Sequence, residues 1–118
     1  MANFNLDYQS REPIFKQIVT QVERYVALGL LKAKDQLPST RELATDLGVN
    51  PNTIRKAYFE LEQKGVIVTV STKGTFIADN AQKVKEQKIA DGIAEIKRQI
   101  ADLTVLGISA EEIINKLK

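Results

Sequence analysis

Leu37-Pro38-Ser39-Thr40-Arg41-Glu42-Leu43-Ala44-Thr45-Asp46-Leu47-Gly48-Val49-Asn50-Pro51-Asn52-Thr53-Ile54-Arg55-Lys56-Ala57-Tyr58 reads as two helices joined by a tight turn. Pro38 stops a helix from running across it, and Ser39 followed three residues later by Glu42 is a capping box. Leu43, Ala44 and Leu47 give a short helix one apolar stripe, which Gly48 ends. After the turn Gly48-Val49-Asn50, Asn50 stands as N-cap and Pro51 in the first helical position. Ile54, Ala57, Tyr58 and Leu61 then follow at i, i+3, i+4 and i+7, a single helical face closed by Gly65. At about 100° per residue, the opposite face carries Asn52, Arg55, Lys56, Phe59 and Gln63. Phe59 fits this outer face badly: it packs beneath the hairpin or the C-terminal helix, or the helical phase is off by one residue.

Working upstream, Ile14, Ile18, Val22, Tyr25 and Val26 recur at three- and four-residue intervals. They predict an amphipathic helix over about residues 12–28, with Pro13 in its first turn and Gly29 as its stop. The first ten residues read as an extended lead-in. Downstream, Val66-Ile67-Val68-Thr69-Val70 is β-branched throughout and reads as a strand. Ser71-Thr72-Lys73-Gly74 is a turn, and Thr75-Phe76-Ile77-Ala78 is the returning strand. The order helix, short helix, turn, helix, hairpin is a winged helix-turn-helix over residues 1–78.

Residues 79–118 have a different character. Over 79–103 the pattern is helical, with Ile89, Ile93, Ile96, Ile100 and Leu103 spaced four, three, four and three apart, a coiled-coil-like seam. A bend at 104–108 precedes a second capping box, Ser109 with Glu112, and a last helix with Ile113, Ile114 and Leu117 on its apolar face. The fold class is therefore mainly α with a small β-hairpin: a winged helix-turn-helix followed by a short two-helix dimerisation segment.

Composition narrows the chemistry. The 118 residues include neither cysteine nor histidine, which removes disulfides, thiolate metal sites and Ser-His-Asp or Cys-His catalysis. Asp and Glu are scattered at helical surface spacings, so neither an enzyme nor a cofactor or metal site is expected. No apolar run approaches the ~18 residues that cross a bilayer, and MANFNLDYQSRE lacks the basic and apolar regions of a secretory signal. The default compartment is the cytoplasm, with no membrane partner. The net charge of +2 comes from residues 1–78, where ten Lys and Arg face eight Asp and Glu; the remainder is balanced at seven each. That bias suits a polyanion as partner.

In a helix-turn-helix the second helix enters the major groove of DNA and its N-terminal side chains meet base edges. Asn50 at its N-cap and Asn52, Thr53, Arg55 and Lys56 beyond it have the right character. Arg suits guanine and Asn suits adenine, whereas a plain solvated face would look the same. Ser39 and Arg41, at the start of the preceding helix, stand where a phosphate is attracted, although Ser39 equally serves only as a cap. Thr72, Lys73 and Gly74 in the hairpin tip suit a phosphate or the minor groove, or form an ordinary turn. The order of these features along the chain argues for double-stranded DNA.

The run from Leu37 to Ala44, the run from Leu47 to Tyr58, then Leu61-Glu62, Gly65 and Lys73-Gly74-Thr75-Phe76-Ile77 resemble the GntR family of bacterial regulators over about residues 12–78. The Asn50-Pro51-Asn52-Thr53 run, Ala57-Tyr58 and the short C-terminal part are similar to its YtrA-type subfamily. The resemblance implies a transcription regulator, typically a repressor. It further implies operator contacts at Arg41, Asn52, Thr53 and Arg55, a wing tip near Thr72 to Gly74 in the minor groove, and control of a membrane-transporter operon. The chain departs from the family pattern at Pro51, where many members have Arg, and at Ser71-Thr72-Lys73, where the wing is usually Gly-rich.

The forty residues after Ala78 suffice for two helices without an enclosed pocket, so no small-molecule effector is assigned. An isoleucine seam left bare is a patch that monomers avoid. Folding back on the winged helix is one way to cover it; pairing with a second copy through Ile89, Ile93, Ile96, Ile100 and Leu103 is the better one, because two-fold symmetry also matches an inverted-repeat operator. The competing reading is a winged helix serving as a protein-interaction or non-specific nucleic-acid module.

Overall fold

The computed structural model describes residues 4–80 and 82–118; residues 1–3 of the lead-in and residue 81 of the long helical pattern lie outside them. Along the chain run α1 (Ile14–Ala27), β1 (Gln36–Leu37), α2 (Thr40–Leu47), α3 (Pro51–Gln63), β2 (Ile67–Val70), β3 (Gly74–Ile77), α4 (Gln82–Thr104) and α5 (Ala110–Leu117). Two compact units result, residues 1–85 and 86–118.

In the first unit the caps act as the sequence implies. Ser39 Oγ accepts the Glu42 N–H at 3.0 Å while Glu42 Oε1 accepts the Ser39 N–H at 3.1 Å. Asn50 Oδ1 accepts the Asn52 N–H at 2.8 Å. Pro13 is the N-cap of α1 and not its first helical residue: its ψ is 148°, and its carbonyl accepts from Lys16 and Gln17. Helix α3 packs against both α1 and α2. Ile18, Leu43, Ile54 and Leu61 are fully buried in that core, each contributing on the order of 2 kcal/mol. The same core takes Leu31, Leu37, Val66, Ile67 and Ile77 from the loops and strands.

The sheet has one strand more than the predicted hairpin. β3 is central, paired antiparallel with β2 on one side and with β1 on the other, in the order β1-β3-β2. Gln36 stands opposite Phe76 and Leu37 opposite Thr75. Two residues are too few to display an alternating pattern, so β1 is invisible without its partner. The wing strands begin one residue away from their predicted starts, at Ile67 and Gly74.

The lead-in is strapped down rather than loose. Gln17 and Gln21, one turn apart on α1, turn their amides onto it: Gln21 Oε1 accepts from Asn5 N at 2.8 Å and Gln17 Oε1 from Asp7 N at 2.8 Å. Phe4 meets Tyr25 edge-on with centroids 6.1 Å apart, and Tyr8 donates its hydroxyl to the Leu47 carbonyl at the end of α2.

The C-terminal unit is helical. Asp79 and Asn80 form a turn, where the pattern predicted the start of the long helix. Ile89, Ile93, Ile96 and Leu103 of α4 are 44 to 57% exposed, and Ile100 is half-buried. On another side of α4, Arg98 pairs with Glu95 and, at 3.3 Å, with Asp102. The predicted capping box of α5 is present at Ser109 and Glu112. Of its predicted apolar face, Ile113 is buried while Ile114 and Leu117 are exposed.

Candidate nucleic-acid interface

The helical phase of α3 is the one read from the sequence: Ile54, Ala57, Tyr58 and Leu61 are buried, and Asn52, Arg55, Lys56 and Phe59 face outward. Phe59 is not packed beneath the hairpin: its side chain is 62% exposed. Arg55 Nη1 donates to the Asn52 carboxamide oxygen, so these two side chains form one polar unit on the outer face. Thr53 is half-buried. Lys56 swings to the α1 side, where its ammonium lies 4.1 Å from the centroid of the Phe15 ring, a cation–π contact.

Two brackets hold α3 in place. Tyr58 donates its hydroxyl to the Pro38 carbonyl at 2.7 Å, tying the helix to the β1–α2 junction. Burial, and after it the charge of Glu42, push the Tyr58 hydroxyl above its ordinary pKa, so it remains a donor. On the other flank, Lys16 reaches Glu60 at 2.8 Å, and Lys64 reaches both Glu60 and the nearly buried Glu23 at 3.5 Å. These ties join α1 to α3 across more than forty residues of sequence.

The wing tip is held with equal specificity. Lys73 N–H donates to the Val70 carbonyl at 3.0 Å, and Thr72 has a φ of +67°, a conformation uncommon for a residue with a side chain. Gln36 Nε2 donates to the Lys73 carbonyl at 3.2 Å, fastening the tip to β1. Gly74, at φ +121°, passes so close that a Cβ there would stand 2.8 Å from Gln36 Nε2.

Between α3 and the wing lies an open cleft of about 660 Å³. It brings together Ser39, Arg55, Thr72, Lys73 and Gly74 of the predicted site; Arg41, Asn50, Asn52, Thr53 and Lys56 do not line it. Arg41 is exposed on the first turn of α2, while the side chains of Ser39 and Asn50 are engaged as caps. The cleft also contains Gln36, Phe59, Glu42 and Glu62, none of which the sequence marked as site residues. Glu42 is a carboxylate held below its ordinary pKa, first by the Ser39 backbone N–H and then by the Ser39 hydroxyl. Gln36 had no signal of its own, because its role depends on a strand pairing. The awkward placement of Phe59 on a polar face was a signal.

A helix-turn-helix with a three-stranded wing and a polar, partly basic outer helix face defines a DNA-binding transcription regulator. The chain belongs to the gntR family of bacterial regulatory proteins, whose family model matches residues 15–77. It is 39% identical over 114 residues to the HTH-type transcriptional repressor YtrA of Bacillus subtilis, spanning 96% of this chain and 88% of that one. A transcriptional regulator from Oenococcus oeni has a similar structure, with a TM-score of 0.81 at 38% identity over 95% of this chain and 93% of that one. The DNA-binding domain of AraR in complex with operator ORE1 is similar at a TM-score of 0.54 and 27% identity, covering 66% of this chain and 95% of that one. The YtrA-type resemblance read from the sequence is thus borne out. No helix among the described residues is long and apolar enough to cross a membrane.

Proposed function

We propose that this regulator is a cytoplasmic repressor, without catalytic activity, that grips an inverted-repeat operator as a homodimer. The observation that carries the reading is the Asn52–Arg55 unit on the exposed face of α3, bordered by a wing tip bearing Lys73. On this reading Arg55 and Asn52 read base edges, with Asn50, Thr53 and Lys56 beside them. Ser39 and Arg41 meet phosphate at the start of α2, and Thr72, Lys73 and Gly74 reach the minor groove. Residues 1–78 bind DNA and 79–118 pair two chains. The repressor named among the relatives supports repression.

Pairing is supported by the exposure of Ile89, Ile93, Ile96 and Leu103 with Ile100 on one side of α4. A second copy would remove this stripe from water and present two recognition helices to two half-sites. The controlled operon is proposed to encode a membrane transporter, as the YtrA-type resemblance implies.

Selection of bound duplexes from a random pool, at about 150 mM salt to suppress non-specific phosphate binding, tests the function. The expected product is one inverted repeat with half-site centres about 10 base pairs apart or a multiple of that. Its genomic occurrences should fall upstream of transporter genes. Binding without a recovered motif, fading as salt rises, would overturn the reading in favour of a non-specific module.

A further inference from the structure

We propose that Phe59 is a specificity residue of the DNA interface, seating against the C5-methyl group of a thymine in the major groove. The inference rests on the operator-binding reading above and extends it to a residue that neither the capping pattern nor the polar stripe accounts for. Seven residues separate Asn52 from Phe59, which at about 100° per residue brings them within roughly 20° of one another on the helix. Arg55 lies between them. The phenyl ring therefore continues the Asn52–Arg55 stripe, about 10 Å along the axis from Asn52 and about 6 Å beyond Arg55.

Its surroundings argue against a role in the core. The ring is 62% exposed, while its neighbours Tyr58 and Leu61 fill the core behind it. Phe15 offers the contrast: that ring is half-buried and covered by the Lys56 ammonium at 4.1 Å. Among the described residues no ring stacks on Phe59 and no cation lies over it. It borders the same cleft as Arg55, Thr72 and Lys73, continuous with the proposed interface. An aromatic ring cannot read the donors and acceptors of base edges. The apolar group that the major groove presents is the methyl of thymine, and phenylalanine is among the side chains that meet it.

The test replaces each thymine of the selected operator, one at a time, by deoxyuracil, which removes only that methyl group. The native protein should lose about four-fold in affinity per half-site at one thymine position, the value of one buried methyl-sized group. Phe59→Ala should bind the thymine and deoxyuracil duplexes equally at that position, and Phe59→Leu should retain part of the preference. Thermal melting of both variants should match the native protein, because the ring is not in the core. A uniform loss for Phe59→Ala on every duplex, or a deoxyuracil effect that persists in Phe59→Ala, would overturn the proposal while leaving operator binding intact. A pool that returns no motif would overturn both.

Discussion

Arg55 is already committed to a neighbour before any base arrives: one of its nitrogens donates to Asn52. The rest of the guanidinium fork remains available for the bidentate guanine contact that arginine geometry favours. Arg55→Ala is expected to cost about 1–3 kcal/mol on the operator and to relax specificity at one position, whereas Lys73→Ala should weaken all duplexes alike and flatten the salt slope. Binding isotherms on operator and random duplex at several salt concentrations separate the two; an equal loss for Arg55→Ala on both duplexes would deny it base reading. The exposed stripe of α3 was legible in the sequence because its spacing is local. The destination of Lys56 was not, since Phe15 lies 41 residues away and nothing in the helix pattern points toward it. The partner of the Tyr58 hydroxyl was hidden for the same reason: the sequence shows a core tyrosine, and the fold supplies Pro38.

Elements hold one another through contacts of this long-range kind. The wing tip is fastened by a side-chain bond from Gln36 to the Lys73 carbonyl. Gln36→Ala should lower the ¹⁵N order parameters of residues 72–74 while changing the melting temperature little; unchanged order parameters would show the tip to be held by its turn alone. The α1–α3 bracket carries a pH signature. Glu60 is held below its ordinary value of 4.5, first by the hydrogen bond from Lys16 and then by the charges of Lys16 and Lys64. A carboxylate depressed in the folded state contributes stability that is present above its unfolded value and lost as pH falls through the folded one. The melting temperature should therefore decline below about pH 4.5, and Glu60→Gln should make that acid limb shallower. Identical limbs would place the acid sensitivity elsewhere. The helices and both capping boxes were legible because Ser-x-x-Glu and the 3.6-residue period are written locally. β1 was not, because a two-residue strand exists only by virtue of the strand it joins.

For the molecule as a whole, the proposed pairing rests on the seam of α4. Ile96→Glu places a carboxylate in the proposed interface and should shift a micromolar sample to monomer in sedimentation analysis, with operator binding weakened accordingly. A dimer that persists would remove the seam from the interface. This seam was visible in the sequence as a spacing, and it remains an uncovered stripe in the folded chain. The sheet order has a further consequence for how the chain is made. Helices α1 to α3 are complete by residue 63, yet β1 must wait for a strand forty residues further along, since Gln36 pairs with Phe76. At synthesis rates of about 5–20 residues per second, that interval is roughly 2–8 s. A nascent chain can thus complete α3 before the wing beside it exists, and the cleft between them takes shape only when β3 emerges to close the sheet.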